Sequence, residues 1–139
     1  MLQRIQSLFL LLAIGLETSL FFVPVWREGA AVHSVGALVW TNPPGLFPVG
    51  VCVLLLLSIG MAAVALFSYR RRIRQLRLCR WNMLVLIGFQ VLMAWHSAAA
   101  DNDLLTPTLF PTVAIALHWL ALRYIRRDEA LVRAADRLR

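Results

Sequence analysis

Residues 49–67 read VGVCVLLLLSIGMAAVALF, and no charged residue stands anywhere between Leu46 and Tyr69. A helix of about twenty apolar residues crosses the roughly 30 Å hydrocarbon core of a bilayer. A charge placed in that core is strongly disfavoured, by about 3 kcal/mol on insertion scales. An uncharged run of this length is therefore read as a transmembrane helix, about 47–69. The rest of the chain has the same character. Hydrophobic residues make up 60% of the 139, against roughly 45–50% in soluble domains. The charges gather in short blocks between apolar runs.

Three further spans follow from those runs, at about 7–25, 81–99 and 107–124. The first resembles a secretory signal peptide in length, but no small-x-small cleavage site ends it and more spans follow, so it is expected to be an uncleaved first helix. Pro24 and the charged pair Arg27 and Glu28 close it. Residues 31–40 (AVHSVGALVW) carry β-branched residues in loose alternation, which permits a short extracytoplasmic β-hairpin. Asn42, Pro43, Pro44 and Gly45 then give a strong turn signal. Pro107 and Pro111 stand in the first turns of the last span, where proline is best tolerated. The expectation is one domain, an all-α membrane protein of four transmembrane helices.

All fourteen basic residues are arginine. A GC-rich genome accounts for that, and the absence of lysine excludes Schiff-base chemistry with a carbonyl substrate or pyridoxal phosphate. The net charge of +7 would suggest nucleic acid in a soluble protein; with this hydropathy it points to the membrane surface instead. Thirteen arginines fall in the N-terminal flank, in 70–80 (RRRIRQLRLCR) and from Arg123 onward; the remaining loops hold only Arg27. The positive-inside rule makes the arginine-rich segments cytoplasmic. Four spans then put both termini inside. Trp26, Trp40, Tyr69, Trp81 and Tyr124 fall near the expected span ends, as interfacial aromatics do.

Glu17 is the residue an apolar span explains least. Counting about 1.5 Å per residue puts it roughly 17 Å deep, where an ionisable group is a site candidate by default. Ser58, Gln90 and His118 reach similar depths, so each span could supply one polar residue to a common midplane layer. Such a layer either fixes helix register or holds a proton, an ion or a polar head group. A water-filled cavity reaching it would favour transport; a packed interior would favour a structural role. Small residues (Gly60, Ala62, Ala63, Ala65, Gly88, Ala94) are expected where helices approach closely.

The arginine-rich segment offers Arg70, Arg71, Arg72, Arg74, Arg77 and Arg80 to anionic lipid head groups or to an acidic partner. It also acts as a topology determinant that keeps this loop inside. The tail, IRRDEALVRAADRLR, is an expected amphipathic helix, with Leu131, Val132, Ala135 and Leu138 on one stripe and Glu129 four residues before Arg133. It adds Arg126, Arg127, Arg133 and Arg137 to the candidate contact surface, and it either continues the last span or bends along the interface. Its mixed charge suggests a protein partner or a second copy of the chain.

Cys52 and Cys79 are expected about a bilayer apart, beyond disulfide reach. No metal spacing, nucleotide loop or catalytic arrangement is legible, and His96 and His118 are too isolated to read as haem ligands. The expectation is a chain without cofactor, metal or enzymatic activity.

Two segments carry a resemblance. The opening Met1-Leu2-Gln3-Arg4-Ile5-Gln6-Ser7-Leu8 and the ending from Ile125 to Arg139 resemble those of a small bacterial membrane family, domain of unknown function 4293. The resemblance implies a four-span protein of the bacterial inner membrane, mainly of the Bacteroidota, and brings no activity with it. Its terminal motif goes beyond what anchoring requires. The leading expectation is thus a non-enzymatic scaffold or accessory subunit, and the alternative a small channel or transporter built on the midplane layer.

Overall fold

A computed structural model describes the backbone of residues 2–37, 46–69, 71–100 and 103–136, with the side chains at 2–4, 100 and 133–136 outside the described set. Its long helices are α1 (Leu2–Ser19), α2 (Leu46–Phe67), α3 (Arg72–Ala100) and α4 (Phe110–Asp136). Strands β1 (Trp26–Glu28), β2 (Ala31–His33) and β3 (Asp103–Leu104) form one small sheet, and a 3₁₀ turn at Thr106–Leu109 leads into α4. Main contacts run from α1 to α2, α2 to α3, α3 to α4 and α4 back to α1. Three helical segments are long and apolar enough to cross a membrane: Leu46–Phe67, Arg72–Ala99 and Thr106–Val132. The apolar part of α1, Ile5–Ser19, is shorter.

Each helix buries a stripe spaced alternately by three and four residues. The stripes are Gln6, Leu10, Ala13 and Glu17 on α1, and Val51, Leu55, Ser58, Ala62 and Ala65 on α2. On α3 they are Gln75, Cys79, Asn82, Leu86, Phe89 and Met93, and on α4 Pro111, Ala114, His118, Ala121 and Ile125. This is the period that keeps one seam of a helix against its neighbours. The outward faces are also apolar: Leu11, Val53, Leu56, Val91 and Val113 are exposed, as expected of surfaces that meet lipid.

Four expectations need correction. The first helix stops at Ser19 rather than near Val25. The Ser19 hydroxyl donates to the Leu16 carbonyl at 2.7 Å, residues 20–22 turn, and Pro24 holds the residue before it away from helical angles. The hairpin lies at 26–33, not 31–40: Trp26 pairs with His33 and Glu28 with Ala31. Gly29, at φ 60°, occupies the left-handed position that two-residue hairpin loops demand. Residues 38–45, including Trp40 and the Asn-Pro-Pro-Gly turn, lie outside the described residues.

The third correction concerns the arginine-rich segment. From Arg72 it is helix, the first turns of α3, and not a loop. Arginine, leucine and glutamine favour helix, and no glycine or proline interrupts them. Cys79 thereby sits in the buried stripe instead of a loop, and both cysteines are free. The fourth concerns the small residues. Gly60 and Gly88 have no neighbour within 4 Å of where a Cβ would stand, whereas Ala62 and Ala65 are buried.

The two loops at the sheet end are tied together. β3 pairs with β1, setting Trp26 opposite Leu104 and Arg27 opposite Asp103. Thr108 donates its hydroxyl to the Val25 carbonyl at 2.6 Å, and Leu105 N–H donates to the same carbonyl at 2.9 Å. Beneath lie Leu20, Val35, Val51, Leu55, Phe89 and Met93 in one apolar cluster. Gly36 is packed so closely that a Cβ there would stand 2.5 Å from the Phe21 carbonyl oxygen. Gly36→Ala is therefore expected to lower stability by about 1–3 kcal/mol, as overpacking does. Gly88→Ala should change it by less than about 1 kcal/mol. Thermal unfolding in detergent micelles compares the two.

Candidate functional site

The buried stripes bring four polar side chains together, one from each long helix. Glu17, Ser58, Asn82 and His118 are all fully buried. The Ser58 hydroxyl donates to Glu17 Oε2 at 2.8 Å. His118 Nδ1 lies 2.8 Å from the Ala114 carbonyl oxygen. A carbonyl only accepts, so Nδ1 carries the proton. Nε2, the other ring nitrogen, is then free to accept from the Asn82 amide Nδ2, which lies 2.8 Å away. Glu17 Oε1 stands 4.0 Å from His118 Nδ1, too far for a hydrogen bond. Glu17 Oε1 and Asn82 Oδ1 are the two polar atoms of this cluster without a hydrogen-bond partner.

Of the four expected residues, the structure brings Glu17, Ser58 and His118 together, and the fourth member of the cluster is Asn82, not Gln90. Gln90 is half-buried and turns to the start of α4, donating through Nε2 to the Thr108 carbonyl at 3.0 Å and the Thr112 hydroxyl at 3.1 Å. Counting depth from Trp81 sets Gln90 level with His118, but α3 starts earlier, at Arg72, and the residue that meets His118 is Asn82, eight residues before Gln90 and about 12 Å along the axis. Asn82 follows Trp81 at the expected start of a span, where a polar residue is ordinary and draws no notice. The signal that finds it is the stripe itself, since Asn82 falls between Cys79 and Leu86 at the same spacing. His96 belongs to the other end, where its ring stacks on Phe47 with centroids 3.6 Å apart and meets the edge of Trp26.

The arginine end has a different character. Arg71, just before α3, and Arg74, Arg77 and Arg80 on it are exposed, as are Arg123, Arg126 and Arg127 on α4. Arg72 is half-buried and pairs with Asp128 at 3.1 Å, which joins the start of α3 to the distal part of α4. Arg74 donates to the Ser68 hydroxyl at 2.8 Å. That second bond spans the turn from α2 into α3. The tail continues α4 without a break as far as Asp136. Arg70, Arg137 and the side chain of Arg133 lie outside the described residues.

Two surface cavities stand out. One, about 590 Å³, is an open apolar groove between α2 and α3 near the sheet end, lined by residues such as Phe47, Val53, Leu92, Trp95 and His96. The other, about 260 Å³, lies on α4 among Leu120, Arg123, Tyr124 and Arg127. Neither includes a member of the buried polar cluster.

No curated protein and no solved structure matches this chain. One family model does, over residues 2–138. With membrane-length helices and a match across nearly its whole length, the chain belongs to the family described as domain of unknown function 4293.

Proposed function

We propose that this chain is a four-span protein of the bacterial inner membrane, with both termini cytoplasmic, that serves as a non-enzymatic scaffold or accessory subunit. The observation that carries this reading is the contrast between the sealed interior and the exposed basic end. The polar cluster of Glu17, Ser58, Asn82 and His118 is wholly buried, and groups so placed hold helices in register. Helices α3 and α4, of 29 and 27 residues, extend to about 40 Å or more at 1.5 Å per residue. Each overreaches the roughly 30 Å apolar core and carries its arginines beyond it. The Arg72 to Asp128 pair holds the two overhanging ends as one platform. Its contacts are anionic lipid head groups and an acidic face of a protein partner or a second copy; nucleic acid is not among the partners proposed.

A second reading, a small proton or ion pathway, draws on the unpartnered acceptors Glu17 Oε1 and Asn82 Oδ1. The test is affinity purification from native membranes with mass spectrometry, on the intact chain and on a chain ending at Arg127. The truncation is expected to reduce partner recovery at least about fivefold, the effect of roughly 1 kcal/mol. Equal recovery overturns the scaffold reading. The pathway reading instead requires Glu17→Gln to abolish pH-driven flux in proteoliposomes while leaving partner recovery intact.

A further inference from the structure

We infer that the cavity formed by Leu120, Arg123, Tyr124 and Arg127 is a binding site for the phosphate head group of an anionic phospholipid. This rests on the proposed orientation, in which the arginine end faces the cytoplasmic leaflet. It goes further by assigning one site on α4 instead of a diffuse basic surface.

The geometry of α4 sets the site apart from the other arginines. Residues 120, 123, 124 and 127 follow the same three- and four-residue spacing as the buried stripe, but on the opposite side of the helix. The buried stripe of Ala114, His118, Ala121 and Ile125 faces the other helices. The Leu120 stripe therefore lies on the outer side of α4, with Arg123 and Arg127 exposed and Leu120 and Tyr124 half-buried. Arg123 and Arg127 stand one turn apart on that face and repel each other, since like charges at this spacing are unfavourable. Asp128, next in sequence, is turned away to Arg72. A cavity of about 260 Å³ opens between these side chains.

Each lining group has a role in holding a phosphodiester. Two guanidinium forks present planar, paired donors that match phosphate oxygens, which an ammonium does not. Tyr124 adds a hydroxyl donor, and its ring is held by Phe9 of α1, with centroids 5.6 Å apart. Leu120 gives the apolar floor that a glycerol backbone and the first acyl carbons would meet. Trp119 fixes the level: it is about half exposed, and the Arg123 guanidinium lies over its ring at 5.6 Å. A tryptophan beneath an arginine in this way marks the boundary between hydrocarbon and head groups. Anionic lipid phosphates lie at that level in the cytoplasmic leaflet, which gives the charge complementarity. Free phosphate shares the chemistry but lacks the acyl chain that would follow Leu120 and the apolar outer face below it.

The test uses the intact chain purified in a neutral detergent, with lipid binding measured by native mass spectrometry. The probes are dioleoyl phosphatidylglycerol, dioleoyl phosphatidylcholine and inorganic phosphate. Phosphatidylglycerol is expected to bind in preference to phosphatidylcholine, with inorganic phosphate a poor competitor. Each arginine should contribute about fivefold, so Arg123→Gln with Arg127→Gln should weaken phosphatidylglycerol binding about thirtyfold. Tyr124→Phe should weaken it severalfold without disturbing the Phe9 contact. Arg77→Gln with Arg80→Gln removes the same charge from α3 and separates a site from a diffuse field. If the two double variants lose affinity equally, the site is overturned and only a general basic surface survives. If the intact chain shows no preference for phosphatidylglycerol, the site and the lipid contact proposed for the basic end fall together. Competition by inorganic phosphate as strong as that by the lipid also overturns the assignment.

Discussion

Trp26→Ala is expected to lower stability by about 3–5 kcal/mol, the range for removing a large buried aromatic. Trp26 is only 2% exposed. It stacks on His33 with centroids 5.6 Å apart and meets Phe47 and His96 edge-on, each at 6.4 Å. It also begins β1, the central strand of the order β2-β1-β3. One side chain therefore joins the hairpin, the α3 to α4 connection and the ends of α2 and α3. Its removal should uncouple the sheet from the helices beneath. Near-ultraviolet circular dichroism should lose intensity while far-ultraviolet helicity stays nearly constant, because the long helices are held by their own stripes. Denaturant titration in micelles measures the loss, and a loss under about 1 kcal/mol would show that the cap is not coupled to the core.

His118→Leu should be the most damaging single change within the buried cluster, by about 1–3 kcal/mol. It leaves the Asn82 amide, 2.8 Å from Nε2, without its partner in a site with no access to solvent. An orphaned buried polar group is penalised by about that amount. Interhelical hydrogen bonds in membranes average about 0.6 kcal/mol and reach about 1.7, so a result near the upper value is expected for a site this enclosed. Asn82→Leu combined with His118→Leu removes both partners and should recover at least half of the loss, since an apolar pair leaves nothing unsatisfied. Glu17→Gln retains an oxygen to accept from Ser58 and should change stability little. Strict additivity of the Asn82 and His118 variants in a double-mutant cycle would mean that the two side chains are not coupled, contrary to their geometry.

The α4 cavity and the buried cluster make opposite demands on the same helix. His118 and Arg123 are five residues apart, about 7.5 Å along the axis. One is buried against the other helices and the other is exposed on the outer side of α4. A substitution that tests one site therefore leaves the second as an internal control for folding.

Much of this arrangement is legible in order along the chain. The run at 49–67, the clustered arginines and the prolines at 107 and 111 place the helices, because hydrocarbon excludes charge and proline excludes interior helix whatever the neighbours are. Glu17 and His118 stand out for the same reason: a polar group in an apolar run needs a partner. The terminal segments mark the family. By contrast, the partner of each polar group depends on where each helix starts, on the direction a residue faces round it and on how the helices pair. That is why Asn82 and not Gln90 completes the cluster, and why Cys79 lies in the core although it sits among arginines. It is also why the hairpin turns on Gly29 and recruits Asp103 and Leu104 from a loop some seventy residues away in sequence. The sequence by itself determined that this chain meets a membrane and where its charges cannot go. Only the tertiary structure decided which side chains meet, because both the level at which helices come into register and the faces they turn to one another follow from the packing of four helices at once.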